Sequence, residues 1–594
     1  MAKTVRWYDI YRGYLRGNWQ QFRNNVTIPL LFATVWGDVA RKMNISFGTY
    51  PYVSFFGFGP EDAEASRLVE ILVSAQMKDA DTMLKCADIL LTGDIYGTAI
   101  AQVGWDKRTA SLIRRESAPV PGRPRESLRT EPRTVFDGPN WEPVDILDFF
   151  PQPSRRDIKD MDWVCRRYWL DLEEIQKMAF EDGVFDKAAV DQLTSLGAFK
   201  EVRDDLTARR NQSRGPLSES ETRRMEKYAK PVELIEMRGR APNEFIPDDG
   251  GDERIITVAN RSITLRDRPN PYWHGEKGYL IYSPLRDPHY FHGTGKIEIG
   301  EKLQLTANRL ANHKLDALDL VLDPMWYNNR AAGIDTRKLY ARPGRIVSGD
   351  GPMSEALSPI SPDLSGMSLT YQEIGELERM LERGTGVTSD ALGLQAEPRE
   401  TARAFMGRQE NVSVRLLLES RFFEEMFFEP LANMFHALNQ QFLPMPKKVR
   451  ILGTAAMVNP ITGMPAMPVE EVTLEDINKD YDTRAKGAIT TISKASRQQN
   501  MTLLLQAVSS NPLAVQAINW NAFIRELFQA FEVQNIDEVL APNPMQMMAT
   551  QQMGAGGAQP QVPGTPNQAM DLMSLLPLPG AAQMSQQEGQ VSGP

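Results

Sequence analysis

Two cysteines in 594 residues, Cys86 and Cys165, exclude a disulfide-stapled scaffold and a paired Cys-x-x-Cys metal or redox site. Each lies in a stretch patterned like regular structure and reads as a buried, reduced thiol. Histidine is scarce too, with five in the chain, and no His-Glu-x-x-His is present. A nucleophile elbow, Gly-x-Ser-x-Gly, is missing. The nearest approach to a phosphate loop, Gly293-Thr-Gly295-Lys296, lacks the upstream glycine spacing and the Ser or Thr after the lysine. Any process here that needs ATP must take its energy from another chain.

Long apolar runs are also lacking. The best, Val26 to Trp36, is broken by Thr27, Pro29 and Thr34 and follows an Arg-rich stretch, so it reads neither as a membrane span nor as a signal peptide. The expectation is a protein that stays in the cytosol where it is made. Positive charge is in deficit, with a net of −10. Tight wrapping of nucleic acid needs many Lys and Arg to replace phosphate counterions, which this balance does not supply. A passage through which DNA slides has the opposite need, because each strong phosphate contact must be broken for movement.

What the chain does have is helix in long pieces with strands between. Residues 1 to 25 interleave Trp7, Tyr11, Tyr14, Trp19 and Phe22 with Arg6, Arg12, Arg16 and Arg23. Such a mixture can stack on bases, but the spacing favours an amphipathic helix docked on its own or a neighbouring subunit. A helical pattern runs from Pro60 through Leu90 to a stop at Gly93. Thr98 to Trp105 then reads as a strand, and Arg108 to Arg133, with seven Arg, three Glu and several Pro, as a solvated loop. Asp162 to Leu170 predicts a strand and Asp171-Leu-Glu-Glu174 the start of a short helix. Val232 to Arg238 and Ile255 to Leu265 are β-like.

From Lys296 to Leu322 the pattern is one helix of roughly 40 Å, stopped by Asp323-Pro324. Residues 325 to 368 are too broken for helix, and Leu369 to Arg383 is helical again with Gly384 and Gly386 behind it. Glu400 to Leu443 predicts a long helix kinked at Pro430. Val449 to Leu452 and Val469 to Leu474 suggest a hairpin, and 478 to 541 returns to helix. From Asn543 the composition collapses to Gln, Met, Gly, Pro and Ala, which predicts disorder.

Two carboxylate or imidazole groupings invite a metal. His289 and His292 lie near Asp287 in a Pro- and Tyr-rich loop, where hydrogen-bonded structural histidines are commoner. Asp316, Asp319 and Asp323 share a helix face; a two-metal nuclease uses such groups, but a solvated or channel-facing acidic face needs less.

The order of these elements resembles that of the portal, or head-to-tail connector, proteins of short-tailed bacteriophages. Val144-Asp-Ile-Leu-Asp-Phe-Phe-Pro-Gln-Pro153, Asn270-Pro-Tyr-Trp-His-Gly275, Gly293-Thr-Gly295-Lys-Ile-Glu-Ile299, Gln304 to Asn312, Leu322-Asp-Pro-Met-Trp326 and Arg399-Glu-Thr-Ala-Arg403 followed by Gln409 are similar to segments of that family. The likeness spans about residues 60 to 541. It implies an α+β, mainly helical portal fold that forms a ring of about twelve subunits. Within it, 1–292 would be wing with an N-terminal arm, 293–323 the first stem helix, 324–368 the clip, 369–385 the second stem helix and 386–399 a tunnel loop. Residues 400–477 would return to the wing, 478–541 would form the crown, and 542–594 a low-complexity tail.

The resemblance further implies a structural protein and not an enzyme, without cofactor or metal, in the virion at one capsid vertex after assembly in the host cytoplasm. Its partners would be further copies of itself, double-stranded DNA held without sequence preference, a terminase packaging motor, tail adaptors, and capsid and scaffolding proteins, with no membrane. Candidate tunnel-loop residues are Thr388, Ser389, Asp390, Gln395 and Glu397. Candidates for the stem and channel are Lys302, Arg309, Asp316 and Asp319, and for the clip Arg337, Lys338, Arg342 and Arg345. A metal-dependent nuclease and another virion part, such as a tail adaptor or minor capsid protein, are the alternatives.

Overall fold

A computed structural model describes residues 2–14, 24–48, 52–57, 62–118, 125–195, 231–240, 253–322, 325–329, 346, 357–360, 367–387, 414–443, 447–450, 469–472, 477–478, 481–485 and 504–505. All of these belong to the unit Met1–Glu532; the Gln- and Met-rich tail falls in the unit Val533–Pro594, outside the described residues.

Four helices lead the chain: α1 (Ala2–Tyr11), α2 (Leu30–Phe47), α3 (Ala63–Asp79) and α4 (Thr82–Tyr96). The single helical pattern expected from Pro60 is thus two helices. Asp81 takes a left-handed φ of 53° between them, a conformation that a short polar side chain tolerates better than most. Gly93 does not stop α4. It lies buried inside the helix, where an added Cβ would come 2.7 Å from the Tyr282 ring. The stop is Gly97, whose φ of 81° turns the chain and lets its N–H donate to the Gly93 carbonyl at 2.7 Å.

Strand β1 (Val53–Phe56) precedes α3, and two strands of twenty residues, β2 (Ala99–Ala118) and β3 (Arg125–Val144), follow α4. They pair antiparallel from Ile100↔Val144 out to Ala118↔Arg125, with a bulge between Arg108 and Thr109. The stretch expected to be a solvated loop is therefore most of a long hairpin. Of the prolines in that stretch, Pro132 lies on β3, the edge of its sheet, where a missing N–H need not break a ladder, and Pro119, Pro121 and Pro124 lie outside the described residues.

A second sheet has the order β4-β5-β6-β7-β8, from Phe149–Pro151, Trp163–Asp171, Pro231–Arg240, Glu253–Ala259 and Ile263–Pro269. The β-like run from Ile255 to Leu265 is split at Asn260 and Arg261, whose φ values of 46° and 60° make a tight hairpin turn. Arg261 is held there by two 3.0 Å bonds to the buried Glu233 carboxylate. Helices α5 (Leu172–Phe180) and α6 (Lys187–Ser195) cover one face, packing Ile175, Ala179, Val190 and Leu193 against Val232, Leu234 and Leu265. Strand β9 (Tyr279–Tyr282) joins β2 over Ala99–Gln102 and extends the first sheet.

Helix α7 (Lys296–Leu322) has the bounds that its pattern predicts. Strands β10 (Met325–Asn328) and β11 (Leu357–Ile360) pair antiparallel after it, and α8 (Met367–Thr385) returns. Residues 414–423 are helical and run through a wide π turn, Glu424–Phe428, into α9 (Glu429–Phe442). The disturbance expected at Pro430 is taken up by that turn directly before it, which is one way a helix accommodates a missing donor. The hairpin expected near residue 450 forms from β12 (Lys447–Arg450) and β13 (Val469–Val472). Asp482–Ala485, read as helix, is instead strand β14, paired to β1. The main core gathers α2, α4, β2, β9 and the aromatic run Phe423, Phe427, Phe428 and Phe435 around Trp141 and Tyr282.

Candidate functional site

Helix α7 is roughly 40 Å long at 1.5 Å per residue and packs along α8 in antiparallel fashion. An added Cβ on Gly300 near its start would lie 2.6 Å from Leu381 Cδ1, and one on Gly384 would lie 3.2 Å from Ile299 Cγ2. The start of α7 and the end of α8 therefore share a root in the core. At their other ends the chain passes into β10 and out of β11, so the paired strands bracket residues 329–356.

One face of α7 is a ladder of polar side chains spaced four apart: Gln304, Asn308, Asn312 and Asp316. Segment 24–31 lies along it in the opposite direction. Asn24 N–H donates to Asp316 Oδ1 at 2.9 Å, Val26 N–H to Asn312 Oδ1 at 2.7 Å, Ile28 N–H to Asn308 Oδ1 at 3.0 Å and Leu31 N–H to Gln304 Oε1 at 3.1 Å. Asn312 also returns its Nδ2 to the Val26 carbonyl at 3.0 Å. The spacing explains the match. Two extended residues advance about 6.6 Å and four helical ones about 6.0 Å, so the alternate N–H groups of Asn24, Val26 and Ile28 meet successive rungs, and Leu31, in the first turn of α2, meets the last. Each rung satisfies a backbone group that no strand partner reaches among the described residues.

Below the ladder, Glu301 accepts from Trp7 Nε1 at 3.1 Å and pairs with Arg6 at 2.6 Å. Of the two readings of the N-terminal aromatics and arginines, the docked helix holds for α1; Arg16, Trp19, Phe22 and Arg23 lie outside the described residues. The opposite face of α7 is exposed and carries Lys302, Thr306, Arg309 and His313.

At the root of α7 lies a buried group of five charges. Lys42 Nζ stands 2.6 Å from Asp38, 2.9 Å from Asp94 and 2.6 Å from Glu419. Lys296 Nζ pairs with Asp38, lies 3.1 Å from Glu419 and 4.0 Å from Asp94. These residues come from α2, α4, the first turn of α7 and the helix before the π turn, so four elements meet on one electrostatic knot. Burial opposes the charge on Lys42, but Asp38, Asp94, Tyr282 and Glu419 hold it protonated well above the usual lysine range. Burial likewise opposes the charge on Asp38, yet Lys42 and Lys296 hold its carboxyl well below the usual range. Asp94 goes the other way. Burial, helped by Asp38 and Glu419 and resisted by the two lysines, pushes it up to about 7. Its Oδ2 and the Tyr282 hydroxyl have no hydrogen-bond partner among the described residues.

Asp38, Asp94 and Glu419 bring their carboxylate oxygens within 4.8 Å of one another, the donor set of a divalent-metal site. The two ammonium groups already stand among those oxygens. Three carboxylates and two lysines balance when Asp94 keeps its proton, and a metal would have to displace a lysine into an apolar core at high cost. The group does not fit a metal and reads as structural.

The sequence candidates fall as follows. Asp316 and Asp319 both bind Asn24, whose Nδ2 donates to them at 3.1 and 2.6 Å. They hold the chain's own N-terminal segment, while Asp323 lies outside the described residues. Asp287 accepts from the N–H groups of His289 and Tyr290 at 2.7 and 3.1 Å, which makes it a turn former. Burial lowers His292, which packs edge-on against Phe291. Lys296 belongs to the buried knot and does not reach toward a phosphate site. Cys86 and Cys165 are free thiols, both pushed up by burial, Cys165 to about 11. Thr388, Ser389, Asp390, Gln395 and Glu397, and Arg337, Lys338, Arg342 and Arg345, lie outside the described residues. Among the described residues no helix is long and apolar enough to cross a membrane.

The knot and the ladder were missed in the sequence. The four-residue spacing of Gln304, Asn308, Asn312 and Asp316 was a usable signal, since polar rungs at that interval mark a helix face that meets backbone. For the knot no local signal exists, because its five members are scattered over some 380 residues. A comparison with curated proteins returns no match. The family model described as "Phage SU10 portal protein" matches residues 113–573. That span takes in the five-stranded sheet, α7, the β10–β11 pair, α8 and α9, and the chain belongs to this family of phage portal proteins.

Proposed function

We propose that the chain is the repeating subunit of a ring, of about twelve copies, that forms the channel for double-stranded DNA at one capsid vertex. Family membership carries the structural role. The observation that carries the channel reading is the antiparallel pair α7 and α8, rooted together in the core and continued at the far end by the β10–β11 ribbon. A head-to-tail interface whose rotation closes sets such pairs side by side around an axis. Exposed apolar groups on this pair, Leu318, Leu322 and Met380, suit contact with neighbouring copies.

In this reading 293–323 and 369–385 are the stem, 324–368 the clip that docks a terminase motor and later tail adaptors, and 386–399 the tunnel loop. Residues 1–292 and 400–477 form the wing and 478–541 the crown. Strand β14, paired to β1, joins the crown's first residues to the wing. Lys302 and Arg309, exposed on α7, are the stem candidates for the channel wall. Asp316 and Asp319 face it only beside Asn24, which covers part of their charge. The chain acts by shape and electrostatics without catalysis or cofactor, and takes its place in the virion after assembly in the host cytoplasm, with capsid and scaffolding proteins around it.

Particles made with Thr388, Ser389, Asp390, Gln395 and Glu397 replaced by Gly or Ser test the tunnel-loop assignment. Normal assembly with poor DNA retention is expected. Unchanged DNA content would remove that role.

A further inference from the structure

Helix α8 ends in a cap that a distant side chain completes. Gly386 takes a left-handed φ of 78° and its N–H donates to the Glu382 carbonyl at 2.8 Å, so the chain turns off the helix there. The last carbonyls of a helix have no partner within it. Arg415 supplies one from outside: its Nη1 donates to the Arg383 carbonyl at 3.1 Å and, less closely, to that of Gly384 at 3.5 Å. A cation suits this end of a helix, where the backbone dipoles leave partial negative charge. Gly386 also makes the room. A Cβ there would lie 2.8 Å from Arg415 Cδ and 3.1 Å from its Nη1, so the arginine lies across the bare glycine.

The chain stays pinned just past the cap. Thr385 Oγ1 donates to the Leu381 carbonyl at 2.8 Å and accepts from Val387 N–H at 3.4 Å, and Thr385 and Val387 are both buried. Residues 388–413 lie outside the described residues, and the chain resumes as helix at Val414. Arg415 therefore ties the return of this excursion to its departure. Glu419 follows four residues later, on the same face of the helix, and pairs with Lys296 at the start of α7 at 3.1 Å. One helical turn thus grips both stem helices: Arg415 takes the end of α8, and Glu419 the start of α7.

We propose that Arg415 is a positioning residue for the tunnel loop: it clamps the loop's first residue, Gly386, to the helix that leads back into the core, so that the loop meets DNA from a base fixed to both stem helices. Arg415 acts through the loop and not on the DNA, because the α8 carbonyls engage its guanidinium. The inference rests on the tunnel-loop reading above and adds to it what holds the loop in place.

Full-length Arg415→Ala, Arg415→Lys, Gly386→Ala and the Gly386→Ala/Arg415→Ala double variant test it beside the native chain. Arg415 is exposed, so its replacement leaves the core intact. Amide exchange at residues 386 and 387 is followed in rings assembled without DNA. Arg415→Ala is expected to form rings at the native concentration and to exchange about fivefold faster there, while α5 and α6 keep native rates. Arg415→Lys keeps a cation for the carbonyls and is expected to recover most of the protection. The double variant is expected to exchange more slowly than the product of the two single effects, since each change alone already breaks the contact. Particles made with Arg415→Ala are expected to lose DNA that native particles retain. Native exchange rates in Arg415→Ala overturn the clamp; lost DNA with unchanged exchange would mark a direct phosphate contact instead. Failure of that variant to form rings also overturns it, because the residue would then serve assembly. Faster exchange with full DNA retention removes the positioning role. If particles with the five tunnel-loop residues replaced keep their DNA as well, the loop reading itself falls; if those lose it and Arg415→Ala does not, the clamp alone falls.

Discussion

Lys296, the first residue of α7, reaches 3.1 Å from Glu419 on the helix that leads into the π turn, both buried. The contact fixes where the stem leaves the core. Lys296→Met leaves Lys42 alone against three carboxylates, and breaking a buried pair in this way costs about 3–5 kcal/mol. The melting temperature of the purified subunit is expected to fall by several degrees. An unchanged melt would show the knot to be dispensable.

Asp94 gives the knot a pH dependence. The unfolded chain titrates it near 3.8 and the folded one near about 7, so across that window the folded state holds a proton that the unfolded state has released. Its contribution is complete below the unfolded value and is lost as pH rises, by at most about 1.4 kcal/mol per pH unit. Asp38, held low, acts with the opposite sign and weakens the fold only in more acid solution, below its own unfolded value. Urea midpoints of the native chain and Asp94→Asn at about pH 5 and about pH 7 separate these effects. The native midpoint is expected to drop relative to the variant's as pH rises.

The ladder on α7 makes a local prediction. Asn312→Leu removes the partner of Val26 N–H and C=O, at a net cost of about 1 kcal/mol per bond. Amide exchange at Val26 and Ile28 is expected to quicken about fivefold or more, without comparable change in α5 or α6. Equal exchange in both proteins would mean that the segment is held by something else.

Gly97 makes a tight turn at the core. Its φ of 81° and the 2.1 Å that would separate an added Cβ from the Gly293 carbonyl oxygen leave no room for Ala. Gly97→Ala must move the 293–295 backbone and is expected to lower stability by more than about 1 kcal/mol. Soluble yield and melting temperature report it, and native values for both would refute the close approach.

What the sequence showed and what it hid divide along physical lines. Helix α7 was legible to the residue because Lys296 to Leu322 holds a single period between a glycine-rich turn and Asp323-Pro324. The hairpin of β2 and β3 was hidden because its edge-strand prolines and arginines carry the composition of a loop, and only pairing partners distinguish the two. β14 was hidden for a related reason: four residues, Asp482–Ala485, become a strand only because β1 is there to receive them. Asp316 and Asp319 were legible as one face, but their use by Asn24, nearly 300 residues earlier, was not. The resemblance to portal proteins rested on the order of segments, and order survives where no single motif is diagnostic.

The ring is the claim on which the rest depends, and the mass and image of the assembled native chain measure it most directly. Closed rings with a central hole, of about twelve 66.9 kDa subunits, are the predicted result. Monomers at every concentration and salt tried, or open filaments without a closed form, would contradict the account.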